Sequence, residues 1–219
     1  MGEKKKKKAI VLLSGGMDSA VLLFLVKKQN YSINTLVFDY SQKHRKEITA
    51  AANLSSLVGA DHLYLKLNLP WSNSSLISPK KRVPKKKTPG VPSTYVSARN
   101  IIFLSYAVSY AENVKANSIF IGAHTLDYSG YPDCRKNFLD AFAKAINLGI
   151  AGDRVNIRYP FLKKGKREII EMGMKLGVPF ELTWSCYLGG RKPCLKCDSC
   201  RFRTRAFSQL GIKDPLFKK

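Results

Sequence analysis

Two glycines and three polar residues lie together near the start of the chain. The segment Ser14–Ser19 has the sequence S-G-G-M-D-S, and it connects the apolar run Ala9–Leu13 to a second apolar run that begins at Ala20. This order predicts a buried strand, a tight glycine turn and a helix whose start carries hydroxyl and carboxylate groups. The first turn of a helix has unpaired N–H groups and a positive dipole end, so the segment is suited to binding an oxyanion.

Two common phosphate loops, G-x-x-x-x-G-K-[ST] and G-x-G-x-x-G, are absent from the sequence. The pattern S-G-G-x-D-S instead resembles the pyrophosphate loop of the ATP pyrophosphatases, which split ATP into AMP and pyrophosphate by adenylating a substrate oxygen. The alternative is a plain strand-to-helix turn, because Gly-Gly and Ser are common in loops. On the first interpretation, the residues that bind ATP are Leu13, Ser14, Gly15, Gly16, Met17, Asp18, Ser19 and Ala20.

Four of the five cysteines form a C-x7-C-x2-C-x2-C array at Cys186, Cys194, Cys197 and Cys200. Four thiolates can surround a tetrahedral zinc ion at about 2.3 Å each and leave no open position, so a structural zinc site is predicted. Two disulfides are a rival interpretation that the expected reducing compartment disfavours, and an iron–sulfur cluster is a weaker rival. For the fifth, Cys134, a packing role is preferred to a nucleophilic one, because the nearest candidate base, His124, is ten residues away.

The elements that position these residues alternate between strand and helix, which predicts an α/β protein with a parallel sheet. Predicted strands are Ala9–Leu13, Ile33–Phe38, His62–Leu69, Ser118–Gly122 and Val155–Tyr159. The first predicted helix ends near Gln29, and the later ones are Glu47–Val58, Arg99–Val114, Asn137–Leu148 and Arg167–Leu176. The proline-rich and lysine-rich segment Pro70–Val96 lacks hydrophobic periodicity, so it is predicted to be a mobile loop or lid.

The chain has 38 Lys+Arg against 15 Asp+Glu, a net charge of +23 that favours anionic partners. No apolar run approaches the roughly 18 residues that a membrane-spanning helix needs. The basic segment Lys4–Lys8 leads into a short apolar run, as in a signal peptide, but this run breaks at Ser14 without a cleavage site. A cytoplasmic protein that does not contact a membrane is therefore expected.

Further motifs make the resemblance more specific. They are Y-x-Q-x-H at 40–44, P-S-T-Y-V-x-x-R-N at 92–100, D-x-S-G-Y-P-D-C-R at 127–135 and W-x-C-Y at 184–187. Together with the loop and the cysteines, they make the chain similar, from about Lys8 to Phe207, to the 7-cyano-7-deazaguanine synthase family. Two positions depart from the family pattern, namely Ser97 in place of a proline and Thr125-Leu126 in place of an acidic residue.

The resemblance implies a sheet sandwiched by helices of the adenine nucleotide alpha hydrolase-like type, with a small C-terminal zinc-binding segment. The expected division is an ATP-binding domain over residues 1–180 and a four-cysteine segment with a C-terminal helix over residues 181–219. The implied cofactors are ATP, Mg²⁺ and Zn²⁺. The implied substrates are 7-carboxy-7-deazaguanine and ammonia, no nucleic-acid partner is expected, and a homodimer is considered.

The resemblance also implies the reaction. ATP adenylates the acid, ammonia displaces AMP to give an amide, a second adenylation activates the amide oxygen, and loss of AMP leaves the nitrile. The candidate catalytic residues are Asp18, Arg99, Lys166 and Asp133. Asp18 is expected to hold Mg²⁺ or, alternatively, to cap the helix, while Arg99 and Lys166 are expected to neutralise developing charge or, alternatively, to be surface cations.

The polar loop that ends at Arg135 is expected to bind the deazaguanine. Its candidate contacts are Asp127, Tyr128, Ser129, Gly130, Tyr131, Asp133 and Arg135. A tyrosine would stack on the base, or could be ordinary packing, and Asp133 would accept hydrogen bonds from the ring N–H or amino groups. His124 could equally be a core histidine.

Two other classes of function remain open at this point. A tRNA-modifying enzyme that adenylates an RNA base is favoured by the net charge of +23 and by the basic segment Arg201–Arg205. A purely structural zinc protein is the third interpretation. AMP release with tRNA alone would indicate the second class, and no AMP release at all would indicate the third.

Overall fold

A parallel sheet of five strands forms the centre of the part of the chain that the computed structural model describes, residues 6–84, 90–124 and 131–217. Its strands are β1 (Lys8–Leu12), β2 (Ser32–Asp39), β3 (Asp61–Lys66), β4 (Ser118–Phe120) and β5 (Asn156–Arg158). The helices are α1 (Met17–Lys28), α2 (Lys46–Val58), α3 (Arg99–Val114), α4 (Lys136–Gly149), α5 (Lys166–Lys175) and α6 (Asp198–Ser208). The predicted α/β class with a parallel sheet is confirmed.

Helices cover both faces of the sheet, because the central strand is apolar on both sides. In β1, Ala9 and Val11 pack into one core cluster with α1, α2, α5 and α6, whereas Ile10 and Leu12 pack into the other with α3 and α4. Alternate residues of a strand point to opposite faces, so a continuous apolar run is what a doubly covered strand requires. The predicted sandwich of helices around the sheet is thus present.

The order of the strands, β3-β2-β1-β4-β5, places a topological switch point between β1 and β4. Strands added after β1 extend the sheet first to one side and then to the other, so the connections that leave β1 and β4 diverge. The crevice that they leave beyond the carboxyl ends of the strands is where open parallel sheets bind ligands. The glycine turn follows β1, and the chain toward His124 follows β4.

Strands β3 and β4 end before their predicted ends, at positions where apolar residues continue but the hydrogen bonds of the strand ladder do not. Strand β4 stops at Phe120 although Ile121 is buried and still donates its N–H to the Arg158 oxygen at 2.9 Å. Strand β3 ends at Lys66, three residues before the predicted end at Leu69. Apolar residues continue past these strand ends because they face the cavity described below or the core, and burial alone does not require strand pairing.

The described parts of the segment Pro70–Val96 pack against the rest of the protein. The Ser75 N–H donates to the Ser93 oxygen at 2.8 Å, and Leu76 and Val83 are buried in a small cluster with Trp184 and the cysteines. Residues 85–89 lie outside the described residues. That the segment moves as a lid stays a prediction.

The C-terminal helix α6 is packed into the main core rather than set apart from it. Phe207 lies in the same cluster as α1 and α5. The buried Arg203 forms two hydrogen bonds with the Asp214 carboxylate, at 2.7 and 2.8 Å, and a third with Thr183 Oγ1 at 2.6 Å. Arg203 belongs to the basic segment Arg201–Arg205, which favours an RNA substrate by its charge, but the charge of Arg203 is neutralised internally. The division into two domains stays a prediction.

In the described part of the chain, no helix combines the length and the apolar character that crossing a membrane would require.

Candidate active site and cysteine cluster

The glycine turn after β1 is held in place by its own hydroxyl groups. Ser19 Oγ donates to the Gly16 oxygen at 3.0 Å, accepts from the Ser14 N–H at 3.3 Å and lies 3.0 Å from Ser14 Oγ. Gly15 has φ +81°, and a Cβ there would be 2.0 Å from the Glu47 oxygen, so this position requires glycine. The turn therefore directs the N–H groups at the start of α1 toward the cavity.

Asp18 belongs to the first turn of α1, whose N-cap is Gly16, so the alternative that Asp18 caps the helix is wrong. Its carboxylate pairs with the ammonium of Lys166, the first residue of α5. Lys166 Nζ also donates a hydrogen bond of 2.7 Å to His124 Nε2, and His124 Nε2 is 3.5 Å from Asp18 Oδ2. Burial acts to raise the pKa of Asp18, but the Lys166 ammonium and His124 together hold it well below its usual range.

This group joins three parts of the chain that are distant in sequence, because the ends of β1 and β4 and the start of α5 meet at the switch point. Lys166 is not a surface cation, since only 13% of its side chain is exposed. His124 is not a core histidine either, because its ring lies at the glycine turn beside Lys166. The sequence had left the role of His124 open, and its position now makes it a partner of the Lys166 ammonium.

Arg99 lies among aromatic rings rather than on the surface. Its Nη1 donates to Tyr40 Oη at 3.1 Å, and its guanidinium carbon is 5.6 Å from the centre of the Tyr40 ring, 5.9 Å from that of Phe103 and 6.0 Å from that of Tyr131. Three rings around one guanidinium fix its position by cation–π contacts. Arg99 thus presents a held positive charge beside flat aromatic surfaces.

One cavity of about 610 Å³ connects these groups. The glycine turn, Lys166 and His124 line it on one side, and Arg99 lines it on another. Further lining residues come from the end of β2, from the start of α2 and from the C-terminal segment, namely Tyr40, Gln42, His44, Glu47, Ser185, Tyr187, Asp198, Ser199 and Phe202. The cavity has the size and the mixed polar and apolar lining of a small-molecule site.

The residues predicted to bind the base are not all at this cavity. Tyr131 lines it, and its hydroxyl is 3.1 Å from Thr94 Oγ1. Asp133 is buried and accepts the Asn100 N–H at 2.9 Å, so it satisfies a free donor at the start of α3. The exposed Arg135 lines a second, shallower cavity of about 430 Å³, together with Asp133. Asp127, Tyr128, Ser129 and Gly130 lie outside the described residues.

Cys134 lines the main cavity, and its Sγ accepts a hydrogen bond of 3.1 Å from Asn100 Nδ2. The structure therefore places it as a packing residue of the cavity surface. Glu47 and Tyr187 also line the cavity, and the sequence had given them no role. A signal was available for Glu47, because it follows the carboxyl end of β2 and therefore lies at the ligand-binding edge of the sheet.

The four clustered cysteines have the geometry of a metal site. Their sulfur atoms all lie within 4.8 Å of one another, and Cys194 Sγ is 3.9 Å from Cys200 Sγ. A tetrahedron with about 2.3 Å metal–sulfur bonds requires sulfur atoms about 3.8 Å apart. Backbone N–H groups point at two of the sulfurs, from Cys194 to Cys186 at 3.3 Å and from Cys197 to Cys194 at 3.3 Å. The four cysteines of the cluster are not joined by disulfides, so the cluster could bind a metal ion.

The cysteine cluster is connected directly to the glycine turn. Trp184, two residues before Cys186, donates its N–H to the Gly15 oxygen at 2.9 Å, and its indole N–H donates to the Cys186 oxygen at 2.9 Å. Lys46 Nζ lies 4.3 Å above the Trp184 ring and donates to the Gly190 oxygen at 2.7 Å. A metal bound by the cysteines would therefore stabilise one side of the cavity.

The sheet order, the glycine turn at the switch point and the cavity beside it define a protein of the adenine nucleotide alpha hydrolase-like fold class. Comparison with solved structures agrees. NMN synthetase from Francisella tularensis matches with a TM-score of 0.54 and 15% identity over 95% of this chain and 79% of that chain. A 4-thiouridine synthetase, solved with RNA and bound ATP, matches with a TM-score of 0.53 and 19% identity over 94% of this chain and 50% of that chain. At these identities, the likeness concerns the fold alone.

The family model described as queuosine biosynthesis protein QueC matches residues 8–211, and the chain belongs to this family. Among curated proteins, the 7-cyano-7-deazaguanine synthase of Clostridium kluyveri is 48% identical over 93% of this chain and 94% of that protein. The protein of the same name from Thermoplasma acidophilum is 42% identical over 93% of this chain and 88% of that protein. The family resemblance inferred from the motifs is confirmed.

Proposed function

We propose that the chain is a 7-cyano-7-deazaguanine synthase, which converts 7-carboxy-7-deazaguanine and ammonia to the nitrile at the expense of ATP. The observation that carries this proposal is the single cavity of about 610 Å³ that both the glycine turn and the Arg99 aromatic group line. A nucleotide and a flat anionic acid can meet there. Relatives with this name cover nearly the whole chain at 42% and 48% identity, which supports the same assignment.

The reaction needs ATP because a carboxylate is a poor electrophile. Transfer of AMP to a carboxylate oxygen gives an acyl adenylate, and ammonia can displace AMP from it to form an amide. A second adenylation on the amide oxygen, followed by loss of AMP and of the remaining nitrogen-bound protons, leaves the nitrile. Each adenylation releases one pyrophosphate, which the N–H groups of the turn and the start of α1 are placed to bind.

Charge at the switch point supports adenylyl transfer. Lys166 is held between Asp18 and His124, so its ammonium lies beside the glycine turn that is proposed to bind the phosphates. A preorganised cation of this kind stabilises the negative charge that develops as pyrophosphate departs. Arg99 is placed to pair with the substrate carboxylate, while Tyr131 and Phe103 provide surfaces on which a base can stack.

Asp18 Oδ1, beside the glycine turn, is an atom that fits Mg²⁺. It is buried and has no hydrogen-bond partner among the described residues, while Oδ2 is occupied by Lys166. Mg²⁺ prefers carboxylate and phosphate oxygens as ligands. When bound, Mg²⁺ would neutralise part of the phosphate charge, and Asp18 would position it.

Zinc is the metal that we propose for the cysteine cluster, because four thiolates at tetrahedral spacing form a closed site. No step of the reaction involves this metal. Its role is to fix the segment that carries Trp184 and Tyr187 against the cavity. The reduced thiols of the cluster also fit the proposed cytoplasmic location.

Asp127, Tyr128, Ser129 and Gly130 stay proposed contacts of the base, together with Tyr131. Asp133 Oδ2 holds the start of α3 and thereby Arg99, while Oδ1 is buried without a partner among the described residues and stays a proposed contact of the base. Arg135 lines the second cavity and not the main one, so its position does not support a contact with the base. A homodimer stays a prediction, which sedimentation of the purified protein would measure.

The test is to incubate the protein with ATP, ammonium and either free 7-carboxy-7-deazaguanine or bulk tRNA, and to analyse the products by mass spectrometry. AMP, pyrophosphate and a nitrile are expected from the free acid. AMP release with tRNA alone would contradict the proposal and indicate an RNA-modifying enzyme, an alternative that the named relatives do not favour. No AMP with either substrate would indicate a structural zinc protein.

A further inference from the structure

The Glu47 carboxylate lies at the main cavity without a protein partner. Glu47 is in the first turn of α2, and its backbone oxygen packs so closely on Gly15 that the residue is fixed beside the glycine turn. Its side chain is partly buried and lines the cavity. No hydrogen bond or ion pair to this carboxylate is found within the described ranges. A carboxylate in such a position gains most from a ligand that carries positive charge or donates N–H groups.

The groups that face Glu47 leave it available for such a ligand. Burial raises the pKa of Glu47 to about 8, so the acid is mostly protonated near pH 7 without a ligand, and a cation bound against it favours the ionised form that can accept a proton. The Arg99 guanidinium acts against burial, and Cys197 adds a smaller increase. Tyr40 and Tyr187 are the other titratable neighbours, and the pKa of each phenol is raised, mainly by burial. Both phenols are therefore neutral near pH 7. Arg99 is itself held by the hydroxyl of Tyr40, so it does not close an ion pair with Glu47.

Glu47 is an acid in a protein, and in a cavity, whose other charges are mainly positive. With a net charge of +23, the chain repels a small cation, and the cavity also contains Arg99 and Lys166. Among the described residues that line the cavity, the acids are Asp18, Glu47 and Asp198. Asp18 is paired with Lys166, and Asp198 adjoins the cysteine Cys197. Glu47 is thus the unpaired acid next to the glycine turn.

We propose that Glu47 binds the ammonium ion and accepts a proton from it, so that ammonia is formed beside the acyl adenylate. This inference rests on the proposed function, in which ammonium is the one cationic substrate. An N–H bond of ammonium breaks, and the proton goes to a Glu47 oxygen. The freed nitrogen lone pair attacks the acyl carbon and forms the C–N bond, and the bond to AMP breaks, with AMP taking the electron pair. The nitrogen then loses a second proton, so acyl adenylate and ammonium give amide, AMP and two protons.

The test compares Glu47→Gln with the unmodified enzyme in three assays. Acid-dependent exchange of pyrophosphate into ATP measures adenylation alone. Hydroxamate formation measures capture of the acyl adenylate by hydroxylamine, a nucleophile that is uncharged at neutral pH and needs no deprotonation. Amide and nitrile formation from ammonium measures the complete reaction.

In the variant, we expect kcat/KM for ammonium to fall about 10- to 100-fold, the effect of losing a hydrogen bond to a charged group. The rates of pyrophosphate exchange and of hydroxamate formation should stay within about twofold of those of the unmodified enzyme. Such a result would also demonstrate that the variant is folded. The matched control is Glu181→Gln, which makes the same charge change at an exposed position outside the cavity and should leave all three assays unchanged.

Equal losses in all three assays would overturn the proposal, because Glu47 would then serve adenylation or bind the base. Unchanged ammonium kinetics would also overturn it. If the unmodified enzyme shows no exchange with the acid, the proposed function itself fails, which is a result distinct from either of these.

Discussion

Lys166 is a cation whose position is fixed by two neighbouring side chains. Its ammonium is enclosed by the Asp18 carboxylate and the His124 ring, and the same contacts that orient it hold the pKa of Asp18 below its usual range. Asp18 is therefore ionised at neutral pH. A fixed cation stabilises a developing negative charge without the cost of reorienting solvent, which is the physical basis of the role proposed for Lys166.

Substituting Lys166→Met tests this role. It keeps the length of the side chain but removes the charge, so the rate of acid-dependent pyrophosphate release should fall about 10²- to 10³-fold. The measurement is a coupled pyrophosphate assay at saturating ATP. Lys163→Met, which removes an exposed charge from the loop just before α5, is the control and should retain full activity. Comparable activity of the two variants would contradict the role of Lys166.

Glu47 leads to a prediction about stability and pH. Its folded-state pKa of about 8 lies above the ordinary value of 4.5, so the folded protein binds more protons than the unfolded chain between these two values. This contribution to the free energy of unfolding is fully present below about pH 4.5 and is lost as the pH rises to about 8. For one group, the slope is at most about 1.4 kcal/mol per pH unit.

The Glu47→Gln variant has no such titration. The difference in the free energy of unfolding between the variant and the unmodified protein should therefore shift in favour of the variant between about pH 6 and pH 8, as measured by denaturant titration. Parallel pH profiles of the two proteins would show that Glu47 titrates normally.

At the scale of elements, the connection from β1 to α1 depends on one backbone conformation. Gly15 and Gly59 both have positive φ, +81° and +66°, but only Gly15 is crowded, because a Cβ there would meet the Glu47 oxygen and the Ala51 nitrogen. No atom lies within 4 Å of a Cβ placed at Gly59. Substituting alanine at each position therefore separates two costs: that of a left-handed backbone, which both positions share, and that of a steric clash, which arises only at Gly15.

Gly59→Ala should cost about 1–2 kcal/mol of stability, the cost of a left-handed conformation, and leave pyrophosphate exchange intact. Gly15→Ala adds the clash with α2, so it should destabilise the protein further and abolish exchange. Thermal unfolding and exchange assays on both variants measure this. Retention of exchange by Gly15→Ala would mean that the turn can move away from Glu47 without losing ATP.

The cysteine cluster is the second element-level feature, because it anchors the segment between α5 and α6 to the glycine turn through Trp184. Cys197→Ser should remove the bound metal, about one ion per chain, and lower the free energy of unfolding by about 3 kcal/mol or more. Elemental analysis and denaturant unfolding measure these effects.

Cys134→Ser, outside the cluster, should retain the metal, and metal loss from both variants would argue against the four-cysteine site. Iron instead of zinc in the analysis would indicate the iron–sulfur alternative.

At the scale of the whole molecule, the net charge of +23 permits binding to any polyanion. Such binding releases counterions, so it weakens steeply with salt and carries no information about the substrate. The buried ion pair of Arg203 with Asp214 shows that part of the basic residues in α6 serve internal packing. Charge alone therefore does not favour an RNA substrate.

Bulk tRNA should bind at about 50 mM salt and lose at least about tenfold in affinity by about 200 mM. At the higher salt, we expect tRNA neither to support AMP formation nor to inhibit turnover of the free acid. Filter binding and the AMP assay, performed on the same protein sample, measure both. Salt-resistant binding that inhibits turnover of the acid would show that tRNA occupies the active site.

The sequence by itself determined the features that depend on short stretches of chain. The apolar run before Ser14 and the glycine pair predicted a strand, a turn and a helix in the correct order, since hydrophobic burial and backbone freedom are local properties. The cysteine spacing predicted a four-ligand cluster, and the sulfur positions are consistent with it. The motifs also predicted the family, which the family model confirms over residues 8–211.

The tertiary structure decided which residues share the cavity. Lys166 and Asp18 are 148 positions apart, and they meet because the order of the strands brings the end of β1 and the start of α5 to one switch point. Asp133 Oδ2 accepts a helix N–H, a contact that the sequence did not predict, and Glu47 lies at the cavity without having been predicted there. Spacing in sequence cannot specify these contacts, because they depend on how separate elements pack around a common crevice.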